Sequence, residues 1–263
     1  MTGETQKRFA AQIHAKYLHA LEPIIRLSQT DFSAVSRNIS GLMIEPCSEG
    51  GAILSATNGK VLACIRDPSG KANRPARVTI PDRLFMAATP PKPLALNDQA
   101  AEIEIPMPEW AQPGTVVLTS GFGVVLQQMP LPGVTELGSL GSAYGPVDER
   151  VFMSGEYRVH DDKHLLKWRK IFSRERKPHE GEPAPIDPIL FAWFDRLIDL
   201  HRNKEDGSPR LVYLDHGAVG AATYIRVEGA PDFIGAIGPM FDGSPPPEIP
   251  VWATETPGQE DTP

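Results

Sequence analysis

Two short clusters have the residue types and spacing to do chemistry. His160-Asp161-Asp162-Lys163-His164 places two imidazoles and two carboxylates within one short run, a donor set that could bind a divalent metal. On a helix, His160 and His164 would share a face, since residues four apart lie one above the other. Asp215-His216-Gly217 adds a further candidate ligand pair. A metal centre built from these residues would make the protein a metal-dependent hydrolase. The chain has no HExxH, no GxSxG and no phosphate-binding glycine loop, and His-Asp pairs in loops are common by chance. Metal catalysis is therefore the alternative, and the expectation is a non-enzymatic protein without a cofactor.

The second cluster is cationic. Residues 163–177, KHLLKWRKIFSRERK, hold seven Lys or Arg against one Glu. Lys167, Arg169, Lys170 and Arg174 could touch phosphates without reading bases, a contact that weakens steeply with salt. The competing reading is a solvated basic segment paired with Asp161, Asp162 and Glu175. The formal net charge is −7, so any nucleic-acid contact must come from such a local patch and not from a global field.

These clusters need elements to position them. Gly50–Asp67 reads GGAILSATNGKVLACIRD, two apolar runs around Asn58-Gly59. Asn-Gly between apolar runs predicts a hairpin, because a type I′ turn needs positive φ at both central residues. Strands are expected at 53–56 and 60–67, flanked by strands at 39–45 and 77–80 and by a short helix at 82–88. The spacing of Phe9, Ile13, Tyr17, Ala20, Ile24 and Leu27 predicts a helix over 7–27, kinked or split at Pro23. Residues 28–38 read as a polar connector, and 67–75 and 90–97 as loops. Strands at 101–105, 115–119 and 124–128, separated by Pro113-Gly114 and Ser120-Gly121, read as an antiparallel meander. A strand over 153–160 and a loop over 178–185 follow. The apolar stripe Ile189, Leu190, Trp193, Phe194, Leu197 and Ile198 predicts a helix over 187–200 with Pro188 in its first turn. Strands at 211–214, 222–227 and 233–237 close the pattern.

This order implies an α+β protein, antiparallel sheets with helices on one face. The expected division is a first domain over 1–130, a linker over 131–146, a second, partial domain over 147–240, and a disordered acidic tail over 241–263. The 27 prolines, about twice ordinary usage, argue against a helical bundle. Cys47 and Cys64 are the only cysteines and read as reduced thiols rather than a bridge. No apolar run reaches the ~18 residues of a membrane span, and MTGETQKRFAAQ has no apolar signal region. The expected location is the cytoplasm.

The order of features resembles the bacterial DNA polymerase III beta subunit, the sliding clamp. Thr57-Asn58-Gly59-Lys60-Val61-Leu62-Ala63 is similar to the family's TDGHRLA-like turn and strand. Leu166-Lys167-Trp168-Arg169-Lys170-Ile171 is similar to its FPDWRRVIP joint. Ile234-Gly235-Ala236-Ile237-Gly238-Pro239-Met240 is similar to its closing VMPMR. The departures are Lys60-Val61 for His-Arg, Leu165-Leu166 for Phe-Pro, and Gly238 for the Met before Pro. A standard clamp chain also has three full domains. This chain has one full domain and a shorter segment, and looks like a compact clamp of phage or mobile-element type.

The resemblance implies a processivity or protein-docking factor in DNA replication. Its pocket would capture short linear motifs of a DNA polymerase or another clamp-binding protein. Carried over residue by residue, the pocket comprises Thr57, Gly59, Lys60, Leu62, Ile171, Ala236 and Gly238. It further implies double-stranded DNA held without sequence preference and a homo-oligomer, with no membrane partner. The alternative within the same fold is a structural or inhibitory module that encircles nothing.

Overall fold

The computed structural model describes residues 9–90, 94–98, 101–105, 113–119, 122–127, 151–156, 158–160, 165–172, 186–202, 210–216 and 221–239. The chain opens on strand β1 (Ala10–His14) and helices α1 (Ala15–Thr30) and α2 (Phe32–Ser36). Strands β2 (Leu42–Pro46), β3 (Ala52–Thr57), β4 (Val61–Asp67), β5 (Lys71–Ala72) and β6 (Ala76–Thr79) follow, then helix α3 (Asp82–Ala88). Next come β7 (Leu94–Asp98), β8 (Ala101–Ile105), β9 (Pro113–Thr119), β10 (Phe122–Gln127), β11 (Val151–Glu156) and β12 (Arg158–His160). The remainder is α4 (Arg169–Phe172), α5 (Pro188–Ala192), α6 (Asp195–Asp199), β13 (Val212–Asp215), β14 (Thr223–Val227) and β15 (Phe233–Ile237).

The strands form an eight-stranded sheet, ordered β12-β6-β2-β3-β4-β15-β14-β13, a five-stranded sheet, β11-β10-β9-β1-β5, and the pair β7-β8. Every described strand pair is antiparallel. Helix α1 packs on β3 and β4 of the large sheet and on β9 of the smaller one, while α3 packs on β9, β10 and β11. The main core gathers Ile13, Leu18, Leu21 and Ile24 with Leu54, Ile65 and Val116. Phe194, Leu197, Ile225 and Phe233 from the C-terminal segment join the same cluster. Strand β15 pairs directly with β4, so residues far apart in sequence share one ladder. The expected linker, 131–146, and the tail, 241–263, lie outside the described residues.

The start of the expected helix over 7–27 is a strand. β1 alternates half-buried and buried residues, with Ala11 and Ile13 inside, and pairs along its whole length with β9, Ala10 opposite Thr119 through His14 opposite Thr115. Phe9, Ala11 and Ile13 obey a two-residue period as well as Phe9, Ile13 and Tyr17 obey a four-residue one, and a distant partner strand decides between them. Nor does Pro23 break α1. A helix-interior proline leaves the carbonyl four residues back without its N–H donor. That carbonyl, on His19, accepts instead from Arg196 Nη1 at 3.4 Å.

Other boundaries also differ. Residues 28–38 are not a plain connector: α1 runs to Thr30, and Asp31 caps α2 by accepting from the Ser33 N–H at 2.8 Å. Part of the expected loop 90–97 is β7, which takes β8 as its partner. The expected three-strand meander is therefore a β9-β10 hairpin, with β8 elsewhere. The expected strand over 153–160 is two strands in two sheets. The expected helix over 187–200 is broken at Trp193-Phe194, where the Phe194 N–H donates to the Phe191 carbonyl at 3.0 Å. That three-residue step tightens the turn. Between β3 and β4 the turn is not type I′, since of Asn58 and Gly59 only Gly59 has positive φ, +91°. Asn58 Oδ1 instead accepts from the N–H groups of Lys60 and Val61, both at 3.0 Å. That is an Asx-type closure of a longer loop.

Candidate peptide-docking face

One face of the eight-stranded sheet looks into the core and the other looks outward. Alternation along the strands decides which residues go where. On β4, Val61, Ala63 and Ile65 belong to the main core. Leu62 and Cys64 point the other way and form a separate cluster with Tyr224 and Ala236. Register puts these residues in line. Thr57 sits opposite Leu62, Leu62 opposite Ala236, and Ala236 opposite Tyr224. Three of the seven carried-over residues thus form one cross-strand row.

The other four lie at its margins. Thr57 Oγ1 accepts from the Gly59 N–H at 3.0 Å and donates to the Val61 carbonyl at a short distance, fixing the loop that presents Gly59 and Lys60. The Gly238 N–H donates to the Lys60 carbonyl at 2.6 Å. A methyl group on Gly238 would stand 3.1 Å from that oxygen, so a small residue suits the close approach. The Tyr224 hydroxyl donates to the Ile171 carbonyl.

Residues 165–172 cross this outer face. Leu166, Trp168 and Phe172 pack on the Leu62 cluster, and Phe172 meets the Tyr224 ring edge-on with centroids 5.1 Å apart. The covering leaves Leu62 and Ala236 each 3% exposed, whereas Ile171, which reaches the cluster through its carbonyl, is 36% exposed. Glu45, on the outer face of β2, holds the segment down. Its Oε1 accepts from Trp168 Nε1 at 3.0 Å and pairs with Arg169 Nη2 at 2.7 Å. Burial pushes the Cys64 thiol well above its ordinary value; Glu45 adds to this and Arg169 opposes it.

Of the cationic residues, Lys167 and Lys170 are exposed, while Arg169 is engaged by Glu45 and lies over the Trp168 ring, 4.3 Å from its centroid. Arg174 lies outside the described residues, as do Asp161, Asp162 and His164. His160 Nε2 and Thr79 Oγ1 are 2.8 Å apart, and His216 Nδ1 and Thr223 Oγ1 3.1 Å. Among the described residues no group of three His, Cys, Asp or Glu could hold a metal. No helix among them is long and apolar enough to cross a membrane.

No known protein-family pattern matches the chain, and no curated protein matches it. Among solved structures it is similar in outline to DNA polymerase III subunit beta from Borrelia burgdorferi, determined in complex with a natural product. The identity is 10% and the TM-score 0.47, over 89% of this chain and 64% of that one. The chain thus spans less than two thirds of that structure's length.

Tyr224 and Glu45 were not singled out from sequence, and Cys64 was read only as a reduced thiol. Tyr224 and Cys64 were legible as the outward positions of two alternating strands. Nothing in the sequence tied Glu45 to Trp168, 123 positions away. A cleft of 680 Å³ lined by Tyr213, Arg226, Gly229, Pro231 and Ile234, among others, includes none of the seven.

Proposed function

We propose that the protein is a non-enzymatic, sliding-clamp-like docking factor of DNA replication. Its outer sheet face receives short linear motifs of a DNA polymerase or another clamp-binding protein. One observation carries the reading: residues quoted from three separate stretches of sequence meet at one place. Thr57, Leu62 and Ala236 stand in a row, Gly238 closes on Lys60, and Ile171 is tied in through Tyr224. An apolar strip edged by backbone and small residues suits one or two large apolar anchors of an extended peptide, which would take the places that Trp168 and Phe172 now fill. Lys60 makes the rim cationic and favours acidic residues beside the anchors. Gly238, where the clamp family has Met, leaves the strip shallow. The expected affinity is micromolar, about −8 kcal/mol.

Under this reading DNA is held loosely through phosphates, by Lys167 and Lys170 in the first instance. A chain of this size closes around a duplex only as a symmetric, head-to-tail assembly. Sedimentation at micromolar concentration should show a dimer or trimer, and a strict monomer would remove the ring. A second reading, a clamp-like module that does not encircle DNA, draws support from the helix layer. Helices α1, α2, α3, α5 and α6 carry as many acidic as basic side chains, and Glu22 engages both Arg26 and Arg196. That layer offers a duplex no cationic excess. Anisotropy titrations of an acidic, apolar-anchored peptide and of nicked duplex separate the readings. Peptide binding without duplex binding at low salt favours the second.

A further inference from the structure

The segment over the outer sheet face joins no ladder. Its backbone bonds are local: Lys170 N–H to Lys167 carbonyl at 3.0 Å and Ile171 N–H to Trp168 carbonyl at 2.9 Å lead into the single turn of helix α4. The segment is held by three apolar side chains, Leu166, Trp168 and Phe172, and by three polar ties. Two of those ties converge on a single carboxylate, Glu45. The third is the Tyr224 hydroxyl on the Ile171 carbonyl. The cluster beneath is small and separate from the main core, so lifting the segment uncovers Leu62, Cys64, Tyr224 and Ala236 without opening that core. Segments with few buried contacts open locally at lower cost than the whole fold.

We infer that residues 165–172 form a releasable strap, latched by Glu45, that opens as a unit to expose the Tyr224–Ala236–Leu62 row. Trp168 and Phe172 then act as built-in competitors for the anchors of an incoming peptide. This competition rests on the docking function proposed above. The latch does not, and it can be measured without any partner.

Cys64 is the natural reporter, since its side chain lies in the covered cluster at 3% exposure. With Cys47→Ser as the background, the labelling rate of Cys64 by a soluble aromatic disulfide measures opening. Glu45→Gln keeps the shape but loses the charge that Trp168 and Arg169 share. The expected result is labelling at least about tenfold faster, the size of one lost hydrogen bond to a charged group, at a rate that stays nearly independent of urea well below the unfolding transition, because opening the strap exposes little surface. Trp168→Phe, which keeps the ring and removes the N–H, should also accelerate labelling. Lys167→Ala, at an exposed strap position, should not. Unchanged labelling in both Glu45→Gln and Trp168→Phe overturns the strap. So does a labelling rate that rises with urea as steeply as global unfolding does, because the label would then report unfolding. If labelling accelerates but an apolar-anchored peptide binds Glu45→Gln no more tightly than its parent, the strap stands and the competition is refuted.

Discussion

Gly235 sits in the middle of β15 beneath the Phe194 ring, and Gly235→Ala should destabilise the fold. A Cβ built at Gly235 would lie 2.6 Å from Phe194 Cε1 and 3.2 Å from two further ring atoms, where ordinary contacts are 3.4–4 Å. The ring cannot swing into solvent, because Phe194 is 0% exposed and packs against Phe233 with centroids 6.3 Å apart. Accommodating the methyl requires the ring and the tight turn that carries it to shift by most of an ångström. Overpacking of this kind costs about 1–3 kcal/mol. Against it, replacing glycine stiffens the unfolded chain and stabilises by about 0.4–1 kcal/mol. The net expectation is about 1–2 kcal/mol of destabilisation, or roughly 2–8 °C in melting temperature for a chain of this size. Urea unfolding of the wild type, Gly235→Ala, Phe194→Leu and the double variant would measure it. The smaller Leu makes room for the methyl, so the double variant should be more stable than the sum of the single effects by about 1 kcal/mol. A neutral or stabilising Gly235→Ala, or strict additivity, would show that Phe194 does not rest on β15.

Three further outcomes follow from the structure. Gly41 has φ +94°, and a Cβ there would lie 2.4 Å from the Val78 carbonyl oxygen. Backbone strain and a backbone clash coincide, so Gly41→Ala should cost about 2–3 kcal/mol in the same urea assay. His19 and His201 are both held below the ordinary imidazole value, first by burial and then by Arg196 and Lys16 respectively. The unfolded chain therefore takes up these protons first. Their contribution is fully present above about pH 6.5 and is lost as pH falls from there toward the depressed folded values. Urea midpoints should drop over that window, and His201→Phe should flatten the slope. Finally, a chelator should change neither folding nor peptide binding, and His160→Ala with His164→Ala should leave both intact; tight stoichiometric zinc in purified protein would point to the metal reading instead.

Local signals carried much of the fold. The 82–88 helix is found at those residues, because Pro81 and a compact apolar stripe mark it within one short window. The strands around Asn58-Gly59 and the closing strands at 223–227 and 233–237 were legible from runs of β-branched and apolar residues. What failed was decided at a distance. β1 is a strand because β9 receives it, and β7 because β8 does. Pro23 is tolerated because Arg196, far along the chain, reaches the carbonyl it orphans. At the candidate site the resemblance singled out Thr57, Leu62 and Ala236, and the register of three strands puts them in one row; that the row binds a peptide is the proposal. Their cover was not: that Trp168 and Arg169 would meet Glu45 depends on how 165–172 crosses the sheet. Arg169 consequently spends its charge on a carboxylate, where the sequence suggested phosphate.

The most direct test of the docking account is a titration of the protein with an extended, acidic peptide bearing two large apolar anchors. Wild type and Ile171→Asp should be compared. Ile171 is 36% exposed, so the charge should leave the fold intact while placing a carboxylate on the segment whose backbone meets Tyr224 of the strip. Micromolar binding to the wild type and none to a folded Ile171→Asp are expected. No binding to the wild type at millimolar peptide, or equal binding by both proteins, would contradict the docking account.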